Sequence, residues 1–152
     1  MPALVVTAIV LWPVALGAAL VDRMHVPSTL AGSLVYAAAS RVCHQRPDRS
    51  YASGGVGWPV CTRCTGIYAG AAVGALLAAG ARRRRAVDLR KLRGLVVATV
   101  AVAGVAWFVE WVDLVAVTAS WRTVSAVPAG AAVAAAVVIM AWPAAGRGES
   151  IG

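Results

Sequence analysis

The chain is 152 residues long, which suits one domain. It is 61% hydrophobic and 13% charged, with a mean hydropathy of +0.78, whereas soluble domains are about 45–50% apolar, so an ordinary soluble fold is excluded. Its net charge of +8 sits in clumps beside apolar runs and lacks aromatic–basic interleaving, so it reads as membrane topology and not as a nucleic-acid surface.

Residues 3–21 carry no charge and match the roughly 20 helical residues that cross a bilayer core of about 30 Å. Pro13 predicts a kink within them. A cleaved signal peptide would start with basic residues and end at small ones. This segment starts without a charge and runs into Asp22 and Arg23, so it reads as a retained membrane helix. Residues 27–42 are moderately apolar but too short and polar to span, which predicts an amphipathic helix at the interface or tucked against the bundle. His25, near the end of the first helix, is assigned no role beyond the interface.

Three more apolar runs, at 61–81, 94–114 and 123–142, complete an all-α, four-helix transmembrane bundle in a single domain, residues 1–152. Strands are not expected, because an open sheet edge in lipid leaves backbone groups unsatisfied. In the second run Gly66, Gly70 and Gly74 recur every four residues along one face, a signal for close packing of another helix. That neighbour can belong to this chain or to a second copy, which makes the stripe a candidate homo-oligomer surface. The 82–93 loop holds Arg82, Arg83, Arg84, Arg85, Arg90, Lys91 and Arg93, opposed by Asp88, and so basic a short loop stays cytoplasmic. Both termini then lie on the cytoplasmic side of the plasma (inner) membrane, and the 41–64 loop lies on its outer side. Residues 145–152 read as a disordered tail.

The 41–64 loop breaks the apolar pattern. Cys43, His44, Gln45, Arg46, Pro47, Asp48, Arg49, Ser50 and Tyr51 are followed by Pro59, Val60, Cys61, Thr62, Arg63, Cys64, Thr65 and Gly66. This pattern resembles an uncharacterised family of small bacterial and archaeal membrane proteins recorded as domain of unknown function 2085. That family tends to have Glu where this chain has Asp48, and Phe where it has Tyr51. The resemblance implies a multi-helix membrane protein with a Cys–His motif and supplies no activity.

Chemistry is therefore read from the residues. Cys61 and Cys64 form a C-x-x-C, whose two sulfurs can converge on one tetrahedral metal. Cys43 and His44 complete a Cys3His set for zinc; otherwise the fourth ligand is Glu110, Asp113, water or substrate. Three thiols also leave one over if they pair as disulfides, and a metal accounts for all of them. A redox reading competes, because Arg63 and a helix N-terminus both stabilise a thiolate and Cys43 can exchange disulfides with the pair. A purely structural Cys61–Cys64 or Cys43–Cys61 bridge, with His44 merely packed, is the plain alternative. The metal reading is preferred.

The charges support a further role. Arg46, Arg49, Arg63 and Arg122 are candidate binders of an anionic lipid head group, since guanidinium grips phosphate oxygens in pairs. His44 is the candidate acid or base, with Glu110 or Asp113 to orient it. The same arginines can instead pair with Asp48, Glu110 and Asp113. Trp107, Trp111 and Trp121 read as an interfacial belt. There is no phosphate-binding glycine loop, no haem-attachment motif and no nucleophile elbow.

Overall fold

The computed structural model describes residues 2–25, 28–81 and 88–141. Four helices are long and apolar enough to cross a membrane. They are α1 (Pro2–Met24), α3 (Thr62–Ala81), α4 (Leu89–Trp111) and α5 (Ala119–Ala141). A short apolar helix, α2 (Leu30–Ser40), follows α1 in the position expected for the interfacial segment.

The strand expectation fails locally. β1 (Ser50–Ser53) and β2 (Val56–Cys61) form an antiparallel hairpin inside the motif loop, after a 3-10 turn at Pro47–Arg49. Gly54 and Gly55, at φ +57° and +78°, supply the left-handed turn that joins two twisted strands. The argument from unsatisfied edges holds for a spanning strand only. These strands lie outside the candidate spans, so their edges need not be sealed from lipid.

Two helix starts also differ from the apolar runs. α4 begins at Leu89, with Asp88 capping it by accepting from the N–H groups of Arg90 and Lys91. Arg90, Lys91 and Arg93 therefore belong to the helix rather than to a loop. Likewise α5 begins at Ala119, where the Thr118 hydroxyl accepts from Trp121 N at 3.2 Å. A hydropathy run stops at the first charge, whereas a capped helix continues through it. The 145–152 tail and residues 82–87 of the basic loop lie outside the described residues.

α3 and α5 form the centre of the bundle. A Cβ at Gly66, Gly70 or Gly74 would collide with the backbone of Thr123, Val127 or Ala131 on α5, and one at Gly130 with the carbonyl of Ile67. The glycine stripe is thus covered by a helix of its own chain, so the homo-oligomer surface suggested for these three residues has no free face. α1 packs on α3 and also reaches α5, and α4 packs on α5.

α2 is held back against the bundle end. Asp22 accepts from Thr29 N at 2.9 Å, and Thr29 caps the helix by accepting from Gly32 N. The Arg23 guanidinium lies 4.5 Å from the centre of the Tyr36 ring, whose hydroxyl donates to Gly57 O at 2.8 Å. Leu16, Ala39, Cys43 and Val60 pack into one buried cluster, which sets the first motif cysteine against α1 and β2.

Candidate metal centre

Three segments deliver the cysteines. Cys43 follows the last turn of α2, where its N–H donates to Ala39 O; Cys61 ends β2; Cys64 lies in the first turn of α3. Their sulfurs lie within 4.8 Å of one another. A tetrahedral zinc with bonds of about 2.3 Å needs sulfurs about 3.8 Å apart, so small side-chain adjustments would close the site. Cys43 is buried, Cys61 and Cys64 are half-buried, and all three are free thiols.

The sulfurs already sit among donors. Cys61 N donates to Cys43 Sγ at 3.1 Å, a bond that favours the thiolate. The neighbouring Cys64 thiol, hydrogen-bonded to Cys61, pulls the Cys61 thiol down to about 5, against the opposing effect of burial. Of the two coupled thiols, Cys61 is therefore the one that ionises first.

Gln45 explains how the approach is held, and the sequence reading gave it no role. It adopts a left-handed backbone at φ +48°. Its side-chain amide then donates to Tyr36 O at 3.0 Å and to Pro59 O at 2.7 Å. One residue therefore ties α2 to β2 beside Cys43. The available signal was its place in Cys-His-Gln, since a side chain with two donors can join two carbonyls. Tyr51 is a second such tie. Thr123 Oγ1 has one proton, directed at the Thr62 and Ala119 carbonyls, so Tyr51 is the donor in its 2.8 Å bond to Thr123.

The cysteines line a cavity of about 350 Å³ at this end of the bundle. His44, Arg46, Arg49, Arg63, Glu110 and Arg122 line it too, as do Thr62 and Trp107. Residues far apart in sequence are thereby gathered at one site. His44 is on the wall and exposed, but it is not among the mutually close ligand atoms. The geometry is three sulfurs with an open fourth position, rather than a preassembled Cys3His set.

Asp113 is not part of the cavity. It follows the end of α4 with φ +53° and is exposed. A position past the last helical turn takes it away from the site.

Glu110 is 6% exposed and faces inward, as a carboxylate in an apolar helix must. Its Oε2 accepts from Arg63 at 2.6 Å, and Oε1 lies 2.8 Å from Arg122 Nε, with that N–H not aligned for a hydrogen bond. α3, α4 and α5 thus meet in one ion triad. The carboxylate is engaged with two guanidiniums, so its geometry suits positioning them more than moving protons. Arg46 and Arg49 both approach Asp48, at 3.1 and 3.7 Å. The Arg46 hydrogen bond holds the Asp48 carboxyl below its ordinary range. Each pair of arginines shares one carboxylate and keeps a net positive charge toward the cavity.

Spans, hairpin and thiol cluster define a polytopic helical membrane protein with a metal-competent site at one end of its bundle. The family described as Predicted membrane protein (DUF2085) matches residues 43–136, and the chain belongs to it. An uncharacterised protein of Methanothermobacter thermautotrophicus is 53% identical over 30 residues, 20% of this chain and 27% of that one. An uncharacterised protein of Methanocaldococcus jannaschii is 46% identical over 43 residues, 28% of each chain. The chain thus spans just over a quarter of the length of these curated relatives. No solved structure matches it.

Proposed function

We propose that Cys43, Cys61 and Cys64 bind one zinc ion, and that the arginine-lined cavity beside it receives an anionic group. The observation that carries this reading is the convergence of three sulfurs, from three separate segments, to within 4.8 Å. His44 is the favoured fourth ligand from the chain, reached by rotating an exposed side chain; water or substrate takes the position otherwise. Arg63 and Arg122 offset the excess negative charge of three thiolates around a divalent ion. With Arg46 and Arg49 they offer paired donors to phosphate-like oxygens. In this reading the motif end faces the exterior of the plasma membrane and both termini are cytoplasmic. His44 is then the group suited to acid–base work near neutral pH.

The test is elemental analysis of the purified protein, with thiol counting before and after chelation. The expected result is about one zinc per chain, lost in Cys61→Ser, with three thiols released by chelator. No metal, together with a reducible Cys61–Cys64 bond, would replace this reading with a membrane thiol–disulfide oxidoreductase using Cys43 as its third thiol.

A further inference from the structure

The polar cavity adjoins a second, apolar one. Ile67 lines both, and the second has a volume of about 850 Å³. This is within the range of about 300–1,000 Å³ typical of small-molecule sites. Its origin is the helix arrangement. The glycines bring α3 and α5 together, while α1 packs on α3 and α4 on α5, and a furrow lined by all four helices remains between them. Ile9 and Trp12 of α1 form one wall, Val100 and Gly104 of α4 the other, and Ala71 and Val133 lie on the floor.

We infer that the two cavities form one site for a single phosphate-bearing anionic lipid, with its head group among the arginines and its hydrocarbon chain in the furrow. The inference rests on the reading of the polar cavity as an anion site. Charge complementarity identifies the head group: four guanidiniums line the cavity with Glu110 among them, and Asp48 pairs with Arg46 and Arg49 from outside its lining, which leaves cationic donors for an anion. Thr62 adds a buried hydroxyl, 1% exposed, with no hydrogen-bond partner among the described residues. A free phosphate would use only this part. Continuity through Ile67 into an apolar furrow of larger volume adds the second half of an amphiphile.

Gly104 offers a direct test, because a Cβ there meets nothing within 4 Å and a larger side chain enters the furrow without displacing backbone. The full chain in detergent is titrated with dioleoyl phosphatidic acid, dioleoylglycerol and inorganic phosphate, with native mass spectrometry reading bound species and oligomeric state. Phosphatidic acid is expected to bind about ten-fold or more tighter than either partial ligand, a difference of about 1.4 kcal/mol. Gly104→Phe and Val100→Phe should each reduce lipid binding about ten-fold while leaving zinc content and phosphate binding unchanged. Arg49→Gln should weaken both lipid and phosphate.

Equal binding of dioleoylglycerol and phosphatidic acid would overturn the inference, since the furrow would then hold lipid without head-group selection. Phosphate binding with no lipid preference and no effect of Gly104→Phe would overturn it too, yet leave the anion cavity standing. Failure of both phosphate and phosphatidic acid would remove the anion reading along with the inference. A dimer that Gly104→Phe converts to monomer, without loss of bound lipid, would assign the furrow to a second copy and overturn the inference.

Discussion

At the scale of single residues, the site depends on Gln45 as much as on the thiols. The amide holds two carbonyls from different elements, and φ +48° aims it at both. Gln45→Ala removes both bonds and leaves an alanine in a left-handed conformation. The expected loss is about 1–3 kcal/mol of stability, with weaker retention of zinc, measured by thermal unfolding and by competition with a chelator. An unchanged melting temperature and unchanged zinc affinity would show that Gln45 does not hold the site. The cysteines and Glu110 were legible in the sequence because thiols, and a carboxylate in an apolar run, are chemically conspicuous. Gln45 was not, since its part depends on a backbone angle and on two carbonyls remote in sequence. His44 shows the converse: its ligand chemistry made it a candidate in the sequence, whereas in the structure it lines the cavity outside the set of mutually close sulfurs.

Among the elements, the α3–α5 contact fixes the site, because it brings Arg63 and Arg122 onto the Glu110 carboxylate. Gly70→Ala would drive a methyl group into the Val127 backbone, which no rotamer relieves. Gly17→Ala on α1 meets nothing within 4 Å. The first variant should therefore melt at lower temperature and lose zinc. The second should be neutral, or stabilised by up to about 1 kcal/mol through helix propensity. Melting curves of the two in one detergent decide, and equal curves would contradict the packing described here. The i, i+4 glycine spacing made a close helix contact legible. Its partner was not, because spacing on one helix carries no information about which helix approaches. The hairpin was missed for a different reason: the objection to strands concerns lipid, and the Ser50–Cys61 segment lies outside the spans.

At the scale of the whole molecule, four apolar helices bring the motif cysteines, Glu110 and Arg122 to one end of the bundle. Charge asymmetry argues that this end faces outward. In intact cells an impermeant thiol reagent should therefore add no label to Arg85→Cys beyond the wild-type background, whereas permeabilised cells should gain it. Label gained in intact cells would invert the topology and place the thiols in the cytoplasm. The central claim is that three sulfurs gathered by separate segments share one ion. Zinc-edge X-ray absorption of the purified protein tests it most directly. The account predicts three sulfur neighbours at about 2.3 Å and one nitrogen or oxygen neighbour at about 2.0–2.1 Å, with the sulfur shell depleted in Cys43→Ser. A shell made only of nitrogen and oxygen, or one unaltered by that substitution, would contradict it.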